Sequence, residues 1–121
     1  MLRCPNGEKT QPNRIKKELS QVVRLHPRLR DWFFTSFPAF THAQLLCVPS
    51  VLKRESILLT SPTGSGKTLA GFLGVFDSLL RELDSGGLKP GVRCVYVSPL
   101  RALAYDIEKN LRAPIAGMQI L

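Results

Sequence analysis

Apolar residues recur at helical spacing over a long stretch that begins at Lys67. In KTLAGFLGVFDSLLREL, Leu69, Phe72, Leu73, Phe76, Leu79, Leu80 and Leu83 fall on one face, which predicts a helix. Just upstream, Ile57, Leu58 and Leu59 form a short apolar run suited to a buried parallel strand that stops near Thr60. A second pair of the same kind follows. VRCVYVSP, rich in β-branched residues, predicts a strand over 92–99, and LRALAYDIEKNLR predicts a helix with Leu103, Ile107 and Leu111 facing inward and Pro114 ending it. The tail IAGMQIL reads as the start of another strand.

Strand, helix, strand, helix is the parallel α/β pattern, with right-handed crossovers expected. Two strands cannot make a doubly wound sheet that hides both of its faces, so the sheet is expected to be incomplete.

Upstream of these units the pattern is shorter-ranged. Residues 1–13 hold Pro, Asn and Gly without periodicity and read as loose, whereas Ile15, Leu19, Val22 and Val23 suit a short amphipathic helix that Pro27 can break. Trp32, Phe33, Phe34, Phe37 and Phe40 crowd one window and read as a hydrophobic anchor. THAQLLCVPSVLKRE opens on Thr41, a good N-cap, and places Gln44, Leu45, Val48 and Leu52 on a helical stripe that Pro49 kinks. DSGGLKPG is a polar turn.

Composition narrows the class. At 121 residues and 44% hydrophobic content the chain holds at most one domain with a modest core, and it is not a disordered composition. Its longest apolar stretches are too short to span a bilayer and its start lacks a secretory apolar block, so no membrane partner is expected and an intracellular location is, cytoplasmic in a prokaryote. Cys4, Cys47 and Cys94 are an odd, scattered set that suggests neither a disulfide framework nor a zinc site. The net charge of +8 is uneven. Residues 1–30 carry eight Lys or Arg against Glu8 and Glu18, and the remainder carries nine against seven. The excess marks residues 1–24 as a basic arm, partly disordered or a short helix, that can attract nucleic-acid phosphates or simply be a solvated segment.

The candidate chemistry lies between the first strand and its helix, in SPTGSGKT. Gly64 and Gly66 tolerate positive φ and carry no Cβ, so backbone N–H groups can turn inward around a polyphosphate at the positive end of the helix dipole. Lys67 can reach the β and γ phosphates, and Thr68 has the hydroxyl that such loops use on the bridging Mg²⁺. The strict pattern G-x-x-x-x-G-K-[ST] is met except at its first position, where Ser61 replaces glycine.

Three motifs occur in order: FTHAQ ending at Gln44, SPTGSGKT ending at Thr68, and VYVSPLRALAYD ending at Asp106. Together they resemble the first RecA-like domain of superfamily 2 DEAD/DEAH-box helicases. DWFFTSF upstream and SPLRAL in place of the DEAD-box PTREL are most similar to the Lhr, or large helicase-related, type. The resemblance implies that residues 25–121 are the N-terminal part of a RecA-like ATP-binding domain, truncated before motif II, in a parent that couples ATP hydrolysis to strand separation or translocation on DNA or RNA. It implies ATP and Mg²⁺ as cofactors. Gln44 would be the Q-motif glutamine that reads adenine, the alternative being a helix-surface glutamine. Thr63, Gly64, Ser65, Gly66, Lys67 and Thr68 would be motif I, with Lys67 catalytic and Thr68 on the metal. Ser98 and Arg101 would contact nucleic-acid backbone phosphates, the alternative being a plain strand-to-helix turn with a surface arginine. Phe40 and Leu100 depart from DEAD-box members, which carry proline and threonine there. The family also needs an Asp-Glu pair in motif II and a second RecA-like domain, so the rest of the helicase core is an expected partner in cis and this stretch alone is expected to be inactive. Two other readings stay open: a non-catalytic nucleotide-binding remnant and a small P-loop kinase.

Overall fold

The computed structural model describes residues 2–3, 20 and 24–120. Along the chain they form β1 (Leu2–Arg3), α1 (Pro27–Ser36), α2 (His42–Leu52), β2 (Leu59–Thr60), α3 (Lys67–Asp84) and α4 (Arg101–Gly117). Of the helix expected around Ile15 to Val23 only Ser20 is described, in helical backbone; the rest lies outside the described residues, as does Cys4.

Helix α3 is the axis of the fold. Its apolar face buries Ala70, Phe72, Leu73, Phe76 and Leu80, as its period predicts, with Leu69, Leu79 and Leu83 half-buried. Helix α2 lies along it, buried through Ala43, Cys47 and Val48. At Gly74 the two approach so closely that a Cβ would stand 2.8 Å from Val51 Cβ. The thiol of Cys47 is sealed in this contact, and burial raises its pKa.

Helix α1 carries Trp32, Phe33 and Phe34 of the aromatic window that reads as a hydrophobic anchor. Pro27 sits in its first turn, where a missing N–H costs nothing, and His26 caps it by accepting the Arg28 N–H on Nδ1 at 3.2 Å. The helix ends at Ser36, followed by Phe37 and Pro38, and a proline disfavours helical geometry in the residue before it. Leu29 and Phe33 face the core, Phe33 stacks on Phe40 with centroids 3.8 Å apart, and Trp32 meets Phe76 edge-on at 6.5 Å.

A polar brace ties the entry to α1 against α3. His26 N–H donates to Asp77 Oδ1 at 2.7 Å, and Nε2 donates to Asp84 Oδ2 at 2.6 Å. Arg81 Nε donates to Asp77 Oδ2 at 2.7 Å while Nη2 reaches the Arg24 carbonyl at 2.6 Å. Asp77 is buried, and these bonds satisfy its carboxylate. The imidazole N–H likewise holds the Asp84 carboxyl below its usual range.

The sheet departs from expectation. β2 is shorter than Ile57–Leu59 suggested, although it does stop at Thr60, and its parallel partner is β1, with Leu2 opposite Leu59 and Arg3 opposite Thr60. Residues 2–3 are therefore not loose. The strand expected over 92–99 does not form: residues 92–98 have no regular structure, with Val92, Val95 and Val97 about four-fifths exposed. A strand needs a partner for its N–H and C=O groups, and β propensity alone supplies none.

Helix α4 also runs past its expected end. Pro114 lies inside it, buried, and the helix continues to Gly117, so the tail is no strand; it turns at 118–119 and inserts Met118 and Ile120 into the core. Proline removes the bond to the Asn110 carbonyl, but Asn110 is exposed and its carbonyl can bond water. Ile107 and Leu111 are half-buried as expected, whereas Leu103 is exposed. No described helix is long and apolar enough to cross a membrane.

Candidate phosphate-binding loop

β2 delivers the chain into residues 61–66, which turn at Thr63 and Gly64 and enter α3 at Gly66. Gly64 has φ +83° and Gly66 has φ +80°, backbone that L side chains rarely adopt. Gly66 is the N-cap, with no side-chain capping bond and no acidic residue in the first turn of α3. The helix therefore presents its first N–H groups and its positive dipole end to the loop, which suits an anion.

Helix α2 positions the loop from behind. Thr41 and Gln44 form a reciprocal capping box: the Gln44 N–H donates to Thr41 Oγ1 at 3.2 Å and the Thr41 N–H donates to Gln44 Oε1 at 2.9 Å. Each side chain then reaches the loop. Thr41 Oγ1 donates to the Ser65 carbonyl at 2.6 Å, and Gln44 Nε2 donates to the Gly66 carbonyl at 3.4 Å. Gln44 is buried, which sets aside the helix-surface alternative.

Within the loop, Lys67 Nζ donates to the Ser61 carbonyl at 2.5 Å, Ser61 Oγ donates to Ser65 Oγ at 2.6 Å, and the Ser65 N–H donates to the Pro62 carbonyl at 3.3 Å. Lys67, Thr68 and Thr63 are exposed. The loop thus offers an ammonium, a hydroxyl and a helix N-terminus to solvent, a donor set fitted to a polyphosphate and to a metal ion that bridges its oxygens. Thr68 also borders an apolar cavity of about 370 Å³ between α1, α3 and α4.

The structure brings Gln44, Ser65, Gly66 and Lys67 together, and adds Thr41 and Ser61. Thr41 was legible only as a cap and Ser61 only as a departure from the pattern. The buried place of Asp77 has a sequence signal, its position on the apolar stripe beside Phe76 with Arg81 one turn on. Ser98 and Arg101 lie elsewhere. Ser98 Oγ donates to the Leu100 carbonyl at 3.3 Å, and Arg101 is exposed at the first position of α4. Among the described residues no hydrogen bond joins either to the loop, and no group of three His, Cys, Asp or Glu is placed to hold a metal ion.

The sequence profile of the DEAD/DEAH box helicase family matches residues 41–121. Among curated proteins, the chain is 43% identical over 95 residues to the ATP-dependent helicase Lhr-Core of Methanothermobacter thermautotrophicus, covering 78% of this chain and 11% of that protein. It is 44% identical over 89 residues to the Lhr helicase/probable uracil glycosylase of Mycolicibacterium smegmatis, covering 74% and 6%. It is 35% identical over 96 residues to the ATP-dependent rRNA helicase SPB4 of Encephalitozoon cuniculi, covering 79% and 18%. The chain thus spans less than a fifth of the length of each of these relatives. The Lhr resemblance read from DWFFTSF and SPLRAL agrees with the first two. No solved structure matches. The matched region opens on Thr41, the residue that caps α2 and grips the phosphate loop, and the chain belongs to the DEAD/DEAH box helicase family.

Proposed function

We propose that this chain is the ATP-binding and nucleic-acid-engaging portion of an ATP-dependent helicase. The observation that carries the reading is the loop of residues 61–68, held from behind by Thr41 and Gln44 and opening on the amino end of α3. Residues 25–121 constitute part of a RecA-like domain with an incomplete parallel sheet, and residues 1–24 a basic arm ahead of it that lends the sheet its Leu2–Arg3 strand. Gly64, Ser65 and Gly66 wrap the phosphates with backbone N–H groups, Thr63 flanks them, and Lys67 supplies the cation that stabilises the γ phosphate as charge moves onto it. Thr68 would hold Mg²⁺, which when bound neutralises and orients the phosphate oxygens.

Gln44 keeps one Nε2 hydrogen and one Oε1 lone pair beyond its bonds to Gly66 and Thr41, and with these it reads the adenine edge. Ser98 and Arg101, at the uncapped start of α4, hold DNA or RNA through its backbone phosphates and so without regard to sequence. Hydrolysis and strand separation belong to the assembled core, with the rest of the helicase in cis, inside the cell.

The test is calorimetric titration of the chain with ATP and Mg²⁺. Wild type binds, and Lys67→Ala weakens binding about tenfold or more, the scale of a lost charge-assisted hydrogen bond. Equal affinity of the two proteins would contradict the assignment.

A further inference from the structure

Two of the donors that would meet a phosphate are already engaged inside the loop. Lys67 Nζ rests on the Ser61 carbonyl at 2.5 Å, and the Ser65 N–H is turned to the Pro62 carbonyl at 3.3 Å. Across these two bonds Ser61 Oγ donates to Ser65 Oγ at 2.6 Å, drawing the first residue after β2 onto the residue before the N-cap of α3. Ser65 is fixed in turn, because its carbonyl accepts from Thr41 Oγ1 at 2.6 Å. The loop is closed on itself.

Of these contacts, the hydroxyl bridge alone depends on the residue at position 61. The lysine and the backbone groups belong to any loop of the pattern, but Ser61 occupies the position that the strict pattern fills with glycine, which has no hydroxyl to donate. The bridge spans the same residues as these two bonds: Ser61 holds Lys67 through its carbonyl and Ser65 through its hydroxyl.

We propose that Ser61 is a positioning residue that latches the phosphate loop shut through its hydroxyl bridge to Ser65, so that nucleoside triphosphate must break this bridge to bind. The proposal rests on the nucleotide-binding reading given above. A site whose competent conformation is a minor fraction binds with its apparent affinity reduced by that fraction. One neutral hydrogen bond shifts such a balance by about two- to tenfold. Removing the hydroxyl therefore speeds association by about that factor and leaves dissociation unchanged, because the bond is absent from the bound loop.

The experiment is stopped-flow binding of a fluorescent, mant-labelled ATP with Mg²⁺ to the 121-residue chain as wild type, Ser61→Ala, Ser61→Thr and Lys67→Ala. The expected result is association about two- to tenfold faster for Ser61→Ala, the same dissociation rate, and wild-type rates for Ser61→Thr, which keeps the hydroxyl. Unchanged or slower association in Ser61→Ala, or Ser61→Thr behaving like Ser61→Ala, overturns the latch. If Lys67→Ala loses binding while Ser61→Ala matches wild type, the latch fails and the nucleotide reading stands; if no variant binds and wild type does not either, both fall. Should Ser61→Ala not fold, Ser61→Gly carries the same prediction.

Discussion

The side-chain amide of Gln44 and the backbone of Gly66 meet at the junction of α2 and the phosphate loop: Nε2 donates to the Gly66 carbonyl at 3.4 Å, and a Cβ on Gly66 would stand 2.5 Å from that nitrogen. Gly66 also has φ +80°. Gly66→Ala therefore meets a steric and a conformational penalty together. It should destabilise the chain by about 1–2 kcal/mol from the left-handed backbone, and by more to the extent that Gln44 cannot withdraw. Urea midpoints measure it. Gly66→Ala combined with Gln44→Ala should recover part of the loss, and a double variant no better than the single would show that the contact is not the cause.

Thr41 makes two bonds from one oxygen, accepting from the Gln44 N–H and donating to the Ser65 carbonyl. Thr41→Ala should cost about 2 kcal/mol, roughly 1 for the lost cap and roughly 1 for the bond to the loop. Thr41→Ser keeps both bonds and should lose little. If denaturation curves put the two substitutions side by side, the hydroxyl is not what matters.

Glu82 predicts a pH dependence. It accepts from Arg93 Nε at 2.9 Å and Nη2 at 2.7 Å and from the Lys89 N–H at 3.2 Å, which holds its carboxyl near 2, below the ordinary 4.5. The folded-state pKa is depressed, so the stabilisation is fully present above about pH 4.5 and is lost as pH falls toward 2. Wild-type stability should fall more steeply than that of Glu82→Gln between about pH 5 and about pH 3. Parallel curves for the two proteins would dismiss the contribution.

Val95 and Val97 are 78% and 86% exposed in a segment that forms no strand pairing among the described residues, and Tyr96 touches the core through a ring contact with Phe72 at 5.9 Å. Exposed apolar backbone of this kind pairs with other chains. Val95→Lys with Val97→Lys should raise the monomeric fraction in size-exclusion chromatography with light scattering, without moving the melting temperature by more than a few degrees. Self-association as strong as in wild type would locate the sticky surface elsewhere.

What was legible in the sequence is what local rules decide. Helix α3 follows from an apolar period that its own residues carry, the start of α2 from Thr41 and Gln44 three positions apart, and the loop from glycines whose backbone geometry is intrinsic. What was not legible depends on distant partners. Residues 92–98 have β propensity, yet β2 pairs with Leu2 and Arg3, far away in sequence. Pro114 stays helical because its ring is buried while the carbonyl it leaves unpaired belongs to exposed Asn110. Gln44 is inside because its amide finds Thr41 and Gly66, which helical position alone does not reveal.

Helix α3 has 18 residues and so is a rod about 27 Å long, with the phosphate loop at one tip. A free rod pushed at one tip swings at the other. Here the second tip is pinned, since His26 holds Asp77 and Asp84, and Arg81 holds the Arg24 carbonyl. The two ends are thus held by different means, the far one by charged contacts to the entry of α1 and the loop end by the neutral Thr41 and Gln44 bonds to Ser65 and Gly66.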